Sequence, residues 1–243
     1  ALLFVVAPQF LADPRVRPFT GVVVHVDQSF TWHGPLVIDA PITLTGRVEK
    51  VRERGGRFFV TFVAEVETGD GERLLDAVST FLMGESVTSE ETDDPGEPPV
   101  WQRELNELPT PRPRPAVGER FAVTNKSASR LDLVKYAAAS GDYNPIHFDH
   151  DAARAAGLDG IVVHGLLMSA WAAQAAAQLS NRPDPIAHLK YRYRNAQRPG
   201  APAQVSGSIA DIAPDGADCQ VSLVVSSGDE KLVTATGVAR LDG

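Results

Sequence analysis

Gly165-Leu-Leu-Met-Ser-Ala-Trp-Ala-Ala-Gln-Ala-Ala-Ala-Gln-Leu179 carries no charge and is apolar around almost the whole circumference of a helix. A surface helix shows a single apolar stripe, so a helix of this kind is buried on most sides, as when a curved sheet wraps it. The stretch spans roughly 22 Å as a helix. The residues after it read as the wrapping. His188–Asn195 alternates, Pro199-Gly200 turns, Gln204–Ala213 and Gln220–Ser226 pair across Pro214-Asp215-Gly216, and Lys231–Arg240 closes. The expectation is an α+β fold, an antiparallel sheet around one long buried helix.

The front of the chain reads as a second copy of a helix-plus-antiparallel-sheet unit. His25–Trp32 reads as a strand, Arg47–Arg54 and Arg57–Glu67 flank the hairpin signal Gly55-Gly56, and Gly69-Asp70-Gly71 leads into Arg73–Leu82. His25 and His188 each stand about ten residues before a proline turn, which with the paired hairpins reads as a weak internal repeat. Ala1–Ala7 is apolar with no basic residue before it. That is a poor signal peptide and reads as the end of a buried helix, so the sequence is expected to begin inside a structural element.

A chain of 243 residues with 43% apolar content is long enough for two modules. Glu85, Glu90, Glu91, Asp93, Asp94 and Glu97 crowd between Gly84 and Val100, and seven of the 18 prolines follow between Pro95 and Pro115. Acidic and proline-rich, residues 84–115 read as an extended linker between a module at 1–83 and a second at 116–243. Without those six acids the net charge of −8 falls to −2, so the acidity says little about ligands. No basic footprint marks a nucleic-acid binder, and no apolar run approaches a membrane span. The single Cys219 excludes an internal disulfide and the usual cysteine-based zinc patterns, which makes a reducing, cytoplasmic setting the default.

The second module opens with a short strand, Phe121–Thr124. A helix Arg130–Ser140 follows, capped by Ser129, with Leu131, Val134 and Ala138 on one stripe. Gly141 and Pro145 then force a non-helical path, and a short helix Asp149–Ala156 ends at Gly157. The loop Ser140-Gly-Asp-Tyr-Asn-Pro-Ile-His-Phe-Asp-His150 is the densest chemistry in the chain. Asp142 and His147 on one rigid loop can share a water, one taking its proton while the other delivers a proton elsewhere. Gly165, opening the buried helix, offers free N–H groups, a positive dipole end and close approach, which suits a developing enolate oxygen. Each residue also has a plainer reading: a turn-forming aspartate, a satisfied core histidine, a packing glycine. Asp142, His147, His150 and His164 match no strong metal spacing, and neither a metal nor a cofactor is expected.

Taken together the stretch resembles the MaoC-like dehydratase family, which includes the (R)-specific enoyl-CoA hydratases. Tyr136, Ser140, Gly141, Asp142, Asn144, Pro145, Ile146, His147, His164 and Gly165 fill every position of its signature. The first module is similar to the degenerate half of two-module members and has no copy of the signature. The resemblance implies a double hot dog fold. It also implies reversible syn addition of water to a trans-2-enoyl thioester, giving an (R)-3-hydroxyacyl thioester. On it, Asp142 and His147 form the catalytic pair, Asn144 orients their loop and the Gly165 N–H is the oxyanion hole. Which member of the pair takes the proton from water stays open.

Tyr143, His164, Leu166 and Met168 are expected around the substrate. Lys190, Arg192 and Arg194 form one basic face of a strand, suited to the phosphates of coenzyme A or a pantetheine carrier or else simply solvated. The expected partner is thus an acyl-CoA or acyl-carrier thioester, with a homodimer or a heteromeric assembly as the higher order. Two other functions share these features. A non-catalytic thioester-binding subunit would not need the intact Asp-x-Asn-Pro-x-His set. A hot dog thioesterase would need an acid on the buried helix, and Gly165–Leu179 has none.

Overall fold

A computed structural model describes residues 3–37, 39–84 and 115–241. Its apolar helix α4 (Gly165–Ala177) is the centre of the second half of the molecule. It touches all five strands of that half: β5 (Arg120–Lys126), β6 (Ile186–Tyr193), β7 (Ala203–Ile212), β8 (Asp218–Ser227) and β9 (Glu230–Arg240). Trp171, Ala172 and Ala176 of the helix meet Leu189, Val205, Leu223 and Leu232 of the sheet in one cluster. That contact explains why the helix needs no polar face. Helix α4 ends two residues before Leu179, which remains buried.

The first half contains α1 (Leu3–Leu11), β1 (Val22–Trp32), β2 (Ile42–Arg54), β3 (Arg57–Thr68) and β4 (Arg73–Gly84). Helix α1 packs Ala7 and Phe10 against a cluster with Phe62, Phe81 and Met83. Strands β2 and β3 meet in a two-residue turn with Gly55 and Gly56 at φ +61° and +74°, a conformation that glycine adopts without a Cβ penalty.

The described strands make one sheet in the order β2-β3-β4-β1-β6-β9-β8-β7-β5. Outward from the central pair the two halves follow the same order, β1-β4-β3-β2 and β6-β9-β8-β7. Antiparallel pairing of β1 with β6, from Asp27 opposite Arg192 to Thr31 opposite His188, joins the halves at a seam. His25 and His188 are therefore not cross-strand partners. The acidic, proline-rich stretch assigned to a linker lies outside the described residues, apart from its end positions.

Two helices carry the segment between β5 and α4: α2 (Arg130–Ser140) and α3 (His150–Ala155). Ser129 caps α2 in a reciprocal box with Asp132. The stripe Leu131–Val134–Ala138 faces outward, with Leu131 and Val134 each 60% exposed, and the buried residues are Leu133, Ala137 and Ser140. Apolar residues recur at helical spacing on both faces of α2, so periodicity alone does not choose the buried one.

Candidate active site

The Asp142–His147 loop begins where α2 cannot continue. Gly141 takes φ +80° and returns its N–H to the Ala137 carbonyl, while Ser140 Oγ donates to the Tyr136 carbonyl and accepts from the Asp142 N–H. Asn144 then caps the short turn Pro145–His147, its Oδ1 accepting from the Ile146 N–H. Asn144 Nδ2 donates to the Val23 carbonyl of β1 at 2.8 Å, tying the loop to the other half of the molecule. At its far end the loop is held by the Val162 N–H bonded to the Ile146 carbonyl and by His147 Nδ1–H bonded to the Val162 carbonyl at 2.8 Å.

These ties fix the chemistry of the pair. With Nδ1 donating to Val162, the free lone pair of neutral His147 is on Nε2. That nitrogen lies 3.9 Å from Asp142 Oδ2, too far for a direct hydrogen bond and close enough for one water to touch both. Both side chains are largely buried. Burial pushes the Asp142 carboxyl up to about 6, against the Asn144 N–H that favours its anion. Burial likewise drives His147 down to about 4, against its bond to Val162. In each case desolvation outweighs the backbone hydrogen bond that favours the charged form. At neutral pH the site therefore holds a carboxylate beside an uncharged imidazole rather than a salt bridge.

Asp142, Asn144 and His147 line a cavity of about 800 Å3 at the junction of the two halves. Gly165 lies on the same wall at the first turn of α4, and its N–H has no acceptor among the described residues. A Cβ at Gly165 would stand 3.0–3.3 Å from the Tyr193 ring, whose hydroxyl is bonded to Ser169 Oγ at 2.8 Å. Only hydrogen fits there without displacing a pinned aromatic. Leu166 and Met168 line the cavity, as does Tyr143, which is 62% exposed. The first half contributes Val23, His25 and Phe81.

Other expected substrate residues lie elsewhere. His164 is 0% exposed and does not reach the cavity wall. Lys190 and Arg192 stand on the exposed face of β6, where Arg192 meets Asp27 at 3.3 Å, because strand alternation turns them away from the helix side. Arg194, just past the end of the strand, does border the cavity. Donor atoms of Asp142, His147 and His164 come within 4.8 Å of one another. The two imidazoles are nearly parallel at 3.7 Å, so their in-plane lone pairs do not converge on a metal. His150 is engaged by Arg130 at 3.0 Å. The Val23 and Val162 carbonyls and Tyr193 complete the site and were not anticipated. Carbonyl acceptors leave no mark on a sequence, and Tyr193 showed only as an inward position on its strand.

Residues 114–214 match the family described as MaoC like domain. The 3-hydroxyacyl-thioester dehydratase X of Mycobacterium tuberculosis is 27% identical over 154 residues, covering 63% of this chain. The matched part is 49% of that protein, so the chain spans about half the length of this curated relative. A solved structure of a MaoC-like dehydratase superposes with a TM-score of 0.77 at 21% identity, over 99% of this chain and 83% of the other. A conserved hypothetical protein of Mycobacterium tuberculosis, described as having a double hotdog fold, superposes with a TM-score of 0.66 at 12% identity, over 98% and 80%. The fold is accordingly a double hot dog, and the Asp142–His147 loop and the opening of α4 both lie within the residues that are similar to the MaoC like domain.

Proposed function

We propose that the protein is a hydro-lyase that adds water reversibly to trans-2-enoyl thioesters, or dehydrates (R)-3-hydroxyacyl thioesters. One observation carries this reading: a buried carboxylate and the bare Nε2 of an imidazole, 3.9 Å apart, line a cavity together with Gly165, whose N–H has no acceptor among the described residues. The thioester carbonyl sits on that N–H, which stabilises the enolate as it forms; one such donor is worth about 2.7–4 kcal/mol of barrier. A water between Asp142 and His147 donates a hydrogen to each. Its oxygen bonds to C3, one O–H bond breaks toward the pair, and the C2–C3 π electrons move onto the enolate. The enolate then takes a proton from the pair at C2. The pair accepts one proton and returns one, so it ends as it began, whichever member holds the proton between the two steps.

Val23, His25 and Phe81 shape the acyl chamber, and Asn144 holds the loop against the first half. Arg194 at the rim is suited to the phosphate of a pantetheine arm. The buried Cys219 fits a reducing, cytoplasmic setting. The test follows loss of the conjugated thioester absorbance with crotonyl-CoA and with octenoyl- to dodecenoyl-CoA, in wild type, Asp142→Asn and His147→Ala. Hydration by wild type and its loss in both variants is expected. Full activity in both variants refutes the site, and no hydration at any length leaves a thioester-binding subunit. Release of free CoA without 3-hydroxyacyl product makes the protein a thioesterase.

A further inference from the structure

His164 takes no part in the chemistry above, yet it touches every component of it. Its imidazole lies face to face with that of His147, centroids 3.7 Å apart and planes 24° from parallel. Its Nε2–H donates to the Asp142 backbone carbonyl at 3.3 Å. Its own backbone is the N-terminal cap of α4, directly before Gly165, and its carbonyl accepts from the Leu167 and Met168 N–H groups. Tyr136 packs on the same ring at 4.8 Å. Nδ1 is left buried without a partner among the described residues.

An unpartnered buried nitrogen destabilises the folded state, because it gives up its bond to water and gains none in return. Phenylalanine or leucine would fill a purely structural position without that cost. We infer that His164 is a positioning residue, whose ring holds the His147 imidazole in the plane that aims Nε2 at the shared water and registers it against the Gly165 N–H. His147 is otherwise held, among the described residues, by the one bond from Nδ1–H to the Val162 carbonyl, which a turn of the ring about Cβ–Cγ would break, releasing the tautomer that this bond fixes. The stacked face blocks that motion. The titratable groups facing His164 are Asp142, His147 and Tyr136, and it also sits at the positive end of α4. Burial and the neighbouring imidazole hold His164 down to about 3, so it stays neutral whichever member of the Asp142–His147 pair holds the proton.

The inference rests on the proposed hydration for its kinetic consequence, but not for its structural one. His164→Gln keeps a donor near the Asp142 carbonyl and loses the ring, His164→Phe keeps the ring and loses the donor, and His164→Leu loses both. With crotonyl-CoA, kcat is expected to fall about 100-fold in the Gln and Leu variants, with KM within about threefold, as for a misaimed catalytic group. The Phe variant recovers kcat to within about fivefold. In parallel, 15N spectra of histidine-labelled protein report the tautomer of His147. A single form protonated at Nδ1 is expected in wild type and His164→Phe, and a mixture in Gln and Leu. Thermal unfolding of each variant separates misfolding from misaiming. A Phe variant no better than Leu, rescue by Gln alone, or a wild-type His147 tautomer in the Leu variant overturns the inference. If wild type hydrates no thioester, the proposed function falls, and the tautomer comparison alone still decides the role of His164.

Discussion

Replacing Asp142 by asparagine should make the protein more stable while abolishing its activity. Burial raises the carboxyl from the usual 3.8 to about 6, so the folded protein holds that proton more tightly than the unfolded chain. The associated stability is fully present below pH 3.8 and is lost as pH rises through about 6. At pH 7.5 the ionised side chain therefore burdens the folded state by about 3 kcal/mol, since each tenfold change in proton affinity corresponds to about 1.4 kcal/mol. Asparagine has no charge to desolvate and keeps an oxygen for the Asn144 N–H that Asp142 now accepts at 3.3 Å. Urea titrations of wild type and Asp142→Asn should then differ by about 3 kcal/mol at pH 7.5 and by roughly half that at pH 5. The corresponding rise in Tm at neutral pH is about 6–12 °C. His147 contributes nothing to the difference, since it titrates at about 4. A variant no more stable than wild type at pH 7.5, or a gain that does not shrink by pH 5, would falsify the claim that burial sets the protonation of this carboxylate.

On the proposed hydration, the same titration governs turnover. kcat/KM for crotonyl-CoA should be level from pH 7 to 8 and fall about tenfold per unit below about 6, as Asp142 takes up a proton; a break near 4 instead points to His147 as the only group that matters. Asn144→Ala strands the Val23 carbonyl and frees the loop, so urea titration should show a loss of about 1–3 kcal/mol. Its kcat should drop about 100-fold, and wild-type kcat would show that the tie to β1 is dispensable. Gly165→Ala drives a methyl into the Tyr193 ring and should lower kcat at least tenfold, read by the same absorbance assay. For Arg194→Gln, the ratio of kcat/KM between crotonyl-CoA and crotonyl-N-acetylcysteamine should fall about tenfold, because only the former carries phosphate. An unaltered ratio removes Arg194 from the pantetheine arm.

Local chemistry was the legible part of the chain. Gly55-Gly56 and Pro214-Asp215-Gly216 turn where their residue types require, and β7 and β8 alternate in burial as expected, whereas β2 at the sheet edge is exposed along the whole of Arg47–Arg54, so its sequence alternation has no buried face to match. The charge-free run from Gly165 reads as a helix buried on most sides, and the sheet packed around α4 buries it so, leaving Ala170 and Gln174 exposed. Gly141 and Pro145 marked a loop of fixed shape, and that shape brings Asp142 and His147 within 3.9 Å. What stayed illegible depends on tertiary packing. Leu131 and Val134 form as good a stripe as Leu133 and Ala137, and only packing shows which one is covered. Lys190, Arg192 and Arg194 read as one strand face, but β6 ends at Tyr193, and of the three only Arg194, beyond that end, borders the cavity. The stack of His164 on His147 joins residues 17 positions apart through two intervening turns, and no spacing rule foretells it.

The bond from Asn144 to the Val23 carbonyl has a consequence for how such a protein can change over generations. The half that supplies no acid or base contributes a backbone oxygen, and any side chain at position 23 leaves that oxygen in place. A slip of β1 by a single residue would turn it away and reverse every side chain on the strand. Selection can therefore exchange the residues of β1 that wall the chamber, fitting it to ligands of other shapes, while the strand's alignment against β4 and β6 stays constant. The seam separates a part free to vary in shape from a part fixed in position, and the proton chemistry is referenced to the second.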